Sequence, residues 1–364
     1  MTELNIAQQR LHNQHISRQT FAKPGDVVQW LGAVQAQDYA AAKWALGLRL
    51  QDTTDDDIEQ AFSSGAILRT HIMRPTWHFV APTDIRWLLA LTAPRVNAAA
   101  AYWYRRLELD EALFARSNTA LAKALQGGKQ LMRSELVSVL QQAGIATAGE
   151  QRLTYILFRA ELDGIVCSGA RRGKQFTYAL LDERAPQARL LERDEALAEL
   201  SRRYFTSHGP ATLQDFVWWS GLTMADARAG LAMVKSHFAH EEIDGQTYWF
   251  APSTPFSQEI AQTTYLLPNY DEYIVGYTDR SAIYDAIHNE KLDSRSNVLF
   301  NHTIVIDGRI VGTWKRTLKR NAIVITPSFF IPPNEAETRA FAAATERYGE
   351  FVGRNGNSTF FNLH

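Results

Sequence analysis

A single cysteine, Cys167, among 364 residues leaves no partner for an intrachain disulfide and no thiolate set for a Cys-rich zinc site. Long apolar runs are missing too; none approaches the ~18 residues that a membrane span needs. The opening MTELNIAQQRLHNQH has no basic stretch leading into an apolar one, as a secretion signal would. These absences predict a reduced, soluble, cytoplasmic protein with no membrane partner. Net charge is also lacking: 38 Lys and Arg stand against 39 Asp and Glu, a balance of −1. Taken whole, that balance counts against a nucleic-acid binder, which usually shows an excess of cations. Nucleotide and hydrolase motifs are absent as well. Gly169-x-x-x-Gly173-Lys174-Gln175 is one residue short of a phosphate-binding P-loop and ends in Gln, and no G-x-G-x-x-G or G-x-S-x-G occurs in a fitting context. The pairs His12/His15 and His237/His240 lack the further ligands of a zinc site. No metal or cofactor is implied.

What is present is ample core material, 46% apolar and 11% aromatic residues. That much chain exceeds one ordinary core and predicts several domains. The spacing predicts helices over 4–14, 24–34 and 54–65, the last behind the capping box Thr54-x-x-Asp57. Two β-prone runs follow at 67–72 and 76–81, then helices at 83–93 and 95–107 broken at Pro94. A second unit repeats the order, with helices at 110–126 and 133–143 and a third behind Thr147-x-x-Glu150. It closes on β runs at 164–168 and 175–180 joined by GARRGK. A third unit has helices at 193–207, 212–219 and 224–238, then a hairpin turning at Asp244-Gly245. Three helices and a hairpin, repeated three times, is the element order of the winged helix. The remaining residues form strands in YLLPNYDEYIVGY, HTIVIDGRIVGTW and AIVIT, and a helix over 334–352. The resulting expectation is an α+β chain, with winged-helix units at 1–107, 108–188 and 189–255 and a C-terminal β-rich domain at 256–364.

Charge is patterned along this frame. Between Arg69 and Arg106 there are six basic residues and one acid, Asp84; from Arg152 to Lys174 five basic and two acidic; from Arg309 to Arg320 five basic and no acid. Acids gather instead around 52–59 and 192–199. Three basic patches could therefore line one surface. Arg152, Tyr155 and Arg159 are expected opposite the apolar stripe of their helix, where a groove-facing helix needs them. Arg171, Arg172 and Lys174 form a cationic wing tip suited to phosphates. Arg69 and Arg74 are candidate phosphate clamps, and Lys315 and Arg316 candidate backbone contacts, with Trp314 assigned to the core. Asp271 and Glu272 are expected to partner those C-terminal cations. His78, in the strand TWHF, is either a candidate site residue or a core histidine bonded to backbone.

Within GAVQAQDY, Gln35-Ala36-Gln37 lies just past the second helix. In an extended segment residues i and i+2 share a side, so both amides can aim at one spot while Ala36 anchors the strand. Two surface glutamines at a helix end is the alternative that spacing alone leaves open.

Four stretches together, LGAVQAQDYAAAKWALGLR, RTHIMRPTWHFVAPTDIRWLL, LLPNYDEYIVGYTDR and IVIDGRIVGTWKRTLKR, resemble the winged-helix DNA glycosylases of the AlkZ/YcaQ type. That family is similar in having three tandem winged helices and a β-rich domain, C-shaped around a DNA-sized concave surface. Its signature is Gln-Φ-Gln, with Φ apolar, which Gln35-Ala36-Gln37 matches; Gln rather than Asp at the third position resembles the AlkZ-like branch. The resemblance implies a cofactor-free, monofunctional glycosylase acting on double-stranded DNA; a monomer is expected because one chain already supplies three DNA-binding-type units. It would excise cationic N7- or N3-alkylated purines, bulky adducts and crosslinks included, through water held by Gln35 and Gln37. It implies no lyase step. The acids would then lie on the outer face and the cations along the DNA channel. The alternative is a non-catalytic winged-helix DNA-binding or regulatory protein.

Overall fold

The computed structural model describes residues 4–252, 263–292, 297–320 and 322–358. The chain opens with α1 (Ile6–Asn13), α2 (Pro24–Leu31), β1 (Val34–Gln35), α3 (Tyr39–Gly47), α4 (Asp55–Ser64), β2 (Leu68–His71) and β3 (Trp77–Val80). Pro24 starts α2 at a position whose missing N–H costs nothing. Thr54 caps α4: Asp57 N donates to its Oγ1 at 3.3 Å, and Thr54 N donates back to Asp57 Oδ2 at 2.8 Å. The sheet runs β1-β3-β2. α5 (Ile85–Arg106) leads to α6 (Glu111–Leu125), β4 (Leu131–Met132), α7 (Arg133–Gln142), α8 (Glu150–Leu162), β5 (Val166–Ser168) and β6 (Thr177–Leu180), with sheet order β4-β6-β5. After α9 (Leu181–Arg184) come α10 (Arg193–Ser207), α11 (Leu213–Ser220), α12 (Met224–Val234) and the hairpin β7 (Ala239–Ile243) and β8 (Gln246–Phe250). A bridge from Ala211 to Trp249 stands where the other two sheets have their short first strand. The order α-β-α-α-β-β thus occurs three times.

Several expectations change. The first trio of helices is α2, α3 and α4, not α1, α2 and α4. α3 was hidden in the small-residue run YAAAKWALG, and α1 packs against α10 outside the trio. α2 stops at Leu31, because Gly32 turns to φ 83° and the chain extends into β1. Pro94 lies inside α5 rather than breaking it. It sits on the exposed side, while Leu91, Ala93 and Val96 are held in the core and carry the helix across it. The cap of α8 is Gly149, not Thr147.

The C-terminal part comprises β9 (Thr264–Leu267), α13 (Glu272–Val275), β10 (Thr303–Ile306), β11 (Arg309–Leu318), β12 (Ala322–Phe329), α14 (Glu335–Phe351) and β13 (Asn355–Ser358). Its five-stranded sheet runs β13-β12-β11-β10-β9. The stretch read as strand at 272–275 is one helical turn. The expected boundary at 255/256 lies outside the described residues. Val34, Ala36 and Phe79 share one apolar core with Leu266, Ile304, Trp314 and Phe341, so β1 is wedged between its own helices and the C-terminal sheet. The described mixture of helices and antiparallel sheets is an α+β fold. No described helix is long and apolar enough to cross a membrane.

Candidate active site

β1 pairs antiparallel with β3, setting Val34 opposite Phe79 and Gln35 opposite His78. Ala36 N donates to Trp77 O at 2.7 Å, and the Ala36 side chain is sealed in the core. The segment is therefore extended, with Gln35 and Gln37 flanking a buried anchor. Gln37 is exposed, and its Oε1 accepts from Trp77 N at 3.4 Å. Gln35 is buried, and its Oε1 accepts from Arg74 Nη2 at 3.0 Å. Trp77 N–H and the guanidinium can only donate, so chemistry alone orients both amides with their oxygens toward these groups.

Arg74 spans two units. It stands in the β2–β3 loop, and its Nη1 donates to Trp219 O at 2.7 Å and to Trp218 O at 3.3 Å, at the end of α11. The approach is tight. Gly221 has φ 70°, and a Cβ there would stand 2.3 Å from Met73 O, so only glycine allows α11 to meet this loop.

Behind Gln35 lies α13. Gln35 N donates to Glu272 Oε1 at 2.9 Å; Trp219 Nε1 donates to Glu272 Oε2 at 2.8 Å, and His208 Nε2 lies 3.4 Å from that same oxygen. Burial opposes ionisation of Glu272, yet His208, the Gln35 N–H and nearby Arg74 outweigh it and hold the carboxyl below its ordinary range. α13 itself is pinned by Asp271, which receives Arg49 Nη1 and Nη2 in a bidentate pair at 2.9 Å each. Asp271 and Glu272 thus serve Arg49 and Gln35, not Lys315 and Arg316 as expected. An acidic pair in an apolar run was the available signal, since buried carboxylates require buried donors. Asn269 joins the same rim: its N donates to His302 Nδ1 at 2.9 Å, and its Nδ2 to Asp38 Oδ2 at 3.4 Å, next to Gln37.

His78 is buried and donates Nδ1–H to Thr76 O at 2.9 Å. Its Nε2 is an acceptor with no partner among the described residues. Burial, helped by Arg74, pushes its pKa down to about 3, so the ring is neutral at physiological pH.

The other predicted cations divide. Arg69 is not an open phosphate clamp. It is buried, its guanidinium lies 4.3 Å from the Trp77 ring centre and 4.6 Å from that of Phe176, and its Nε donates to Ala36 O at 3.0 Å. The face of α8 expected to be free is covered by α5 and α6. Arg159 pairs with Glu111 and Asp163, Arg152 donates to Leu107 O and Ala146 O, and Tyr155 stacks on Trp103 at 5.8 Å. Arg171 turns inward over Tyr39 and pairs with Glu59 at 3.2 Å; Arg172 pairs with Glu135 at 3.0 Å. Lys174 is exposed at the loop tip, and so is Lys315 on β11. Arg316 donates to Tyr348 OH. Trp314 belongs to the core. Acids are interleaved with these cations: Asp55 and Glu59, from the block expected on an outer face, meet Lys43 at 2.6 and 3.0 Å. No group of three or more His, Cys, Asp or Glu among the described residues is placed to hold a metal ion.

A family model described as DNA glycosylase AlkZ-like matches residues 28–351, nearly the whole of this architecture. The class is that of the DNA glycosylases, whose substrate is DNA. The chain belongs to the AlkZ-like family of these enzymes. It is similar to the interstrand DNA cross-link repair glycosylase of Streptomyces sahachiroi, with 25% identity over 332 residues, covering 87% of this chain and 88% of the relative. The solved structure of the Streptomyces sahachiroi DNA glycosylase AlkZ matches its fold with a TM-score of 0.80 at 20% identity, covering 98% of each chain.

Proposed function

We propose that this protein is a monofunctional DNA glycosylase that releases cationic N7- or N3-alkylated purines from duplex DNA through water held by Gln35 and Gln37. The observation that carries this reading is the orientation of the two amides. Each oxygen faces a donor and keeps a second lone pair, and each NH2, which donates to no group among the described residues, can hold water oxygen or a phosphate. An alkylated purine already carries positive charge. Its C1′–N bond breaks with the electron pair moving onto the base, which becomes neutral, and the sugar becomes oxocarbenium-like. Water adds to C1′, and its proton passes to solvent, because an amide does not take a proton at neutral pH. Positioning suffices for such a labile bond. Uncharged damaged bases should be poor substrates. No Schiff base is needed, so the abasic strand should stay intact.

The sealed Nε2 of His78 fits a role in setting the strand rather than in proton transfer. We read the three α-β-α-α-β-β units as tandem winged helices over 1–107, 108–188 and 189–255, with 256–364 closing a C-shaped, monomeric, cytoplasmic enzyme around DNA. Lys174 and Lys315, both exposed, are read as the cations that reach phosphate; Arg316 would do so by leaving Tyr348 OH, and Arg152, Arg159, Arg171 and Arg172 by exchanging the partners they hold. The relative's crosslink repair supports inclusion of bulky N7 adducts, and an exposed Gln37 fits a site open to them. The test is a panel of duplexes bearing N7-methylguanine, N3-methyladenine, an N7 crosslink and an uncharged lesion. Release from the first three and intact abasic strands are expected; release from the uncharged lesion alone would overturn the reading.

A further inference from the structure

Glu272 is a fully buried carboxylate for which the water-holding step has no use. It touches the back of Gln35 through Oε1 at 2.9 Å, while Arg74 touches the front of the same residue at 3.0 Å. Gln35 is therefore gripped between an anion and a cation. We propose that Glu272 is a positioning residue and the counter-ion of the site, offsetting Arg74 so that the glutamine pair meets a cationic lesion without net repulsion. This inference rests on the glycosylase reading.

Arg74 has a clear use, since a guanidinium both orients the Gln35 amide and ties the loop to α11. Left unopposed, its charge would also face the substrate's. During cleavage positive charge moves from the base to C1′, where the held water adds, so a fixed cation one amide away from that water opposes the transition state more than the ground state, and more strongly in a site poor in water. A carboxylate on the far side of Gln35 cancels that field without touching substrate. The three groups on Glu272, from Gln35, Trp219 and His208, hold it ionised where an isolated buried carboxylate would protonate. Trp219 and His208 come from the third α-β-α-α-β-β unit and Gln35 from the first, so the charge is balanced only when those units and α13 are assembled.

The experiment measures single-turnover release of N7-methylguanine and duplex affinity for wild type, Gln35→Ala, Glu272→Gln, Glu272→Asp and Arg74→Gln/Glu272→Gln. Glu272→Gln is expected to slow release about a hundredfold with duplex Kd changed no more than about twofold, and Glu272→Asp, which keeps the charge, to stay within about tenfold of wild type. The double variant restores charge balance and should release base at least about fivefold faster than Glu272→Gln. A purely structural carboxylate gives no such rescue, because the second change removes another contact. A double variant no faster than the single one, or Glu272→Gln at the wild-type rate, overturns the inference. Should Glu272→Gln not fold, the double variant decides alone: a rate within about twentyfold of wild type supports the proposal, and a slower one overturns it. Wild type that releases no base is a different result and sinks the glycosylase reading itself.

Discussion

Arg74 donates Nη2–H to Gln35 Oε1 at 3.0 Å, which fixes the direction of the buried amide of the signature segment. Gln35 and Arg74 are 39 residues apart and meet because β1 pairs with β3, whose first residues follow the loop that carries Arg74. The same arginine grips the carbonyls that end α11, so the orientation of one amide depends on contact between two units.

Arg74→Ala should therefore free the Gln35 side chain to rotate. Base release is expected to fall about tenfold, with the larger effect on kcat than on KM, since what is lost is orientation. A change confined to KM would assign Arg74 to DNA binding instead.

The pH dependence of base release should be flat between about pH 6.5 and 9. Gln35 and Gln37 do not titrate there. Burial keeps His78 neutral at a pKa of about 3, burial lowers His208, and Glu272 is held below its ordinary value despite burial. A rate rising tenfold per pH unit through neutrality would reveal a general base that the site does not contain.

Arg69 and Lys174 should separate stability from binding. Arg69→Ala empties the space between Trp77 and Phe176 and is expected to cost about 2 kcal/mol or more of stability. Lys174→Ala, at an exposed loop tip, should change stability by less than about 0.5 kcal/mol and lower the salt slope of duplex binding by about one. The reverse pattern would mean that Arg69 leaves the core to bind DNA.

Acid should destabilise the fold below neutrality. Burial, with Arg18 beside His15, Arg74 beside His78 and Arg316 beside His302, depresses their pKa values from 6.5 to about 3, 3 and 4. The unfolded chain then binds more protons than the folded one in that window, so stability is full above about pH 6.5 and is lost as pH falls toward 4 and 3. Tm measured from pH 7 to 4.5 should decline steadily; a constant Tm contradicts these assignments.

Local signals were legible in the sequence, and distant ones were not. Asp244-Gly245 and Asp307-Gly308 mark hairpins because both residues take positive φ, and Thr54 caps α4 through neighbours three residues away. The extended Gln35-Ala36-Gln37 segment was readable for the same reason. Glu272 was not, since its partners Gln35, His208 and Trp219 lie 237, 64 and 53 residues away and only the fold gathers them. Charge runs misled in a similar way. Arg159 and Arg171 count as basic patches along the chain, but in space they meet Glu111, Asp163 and Glu59. The acidic block at 52–59 likewise sends Asp55 and Glu59 to Lys43, and Glu59 to Arg171.

The most direct test of the account is single-turnover release of N7-methylguanine from duplex DNA by wild type and by Gln35→Ala/Gln37→Ala, with duplex affinity measured alongside. The account predicts release by the wild type, a loss of at least about a hundredfold in the double variant, and an unchanged Kd. Equal rates for the two proteins would contradict it.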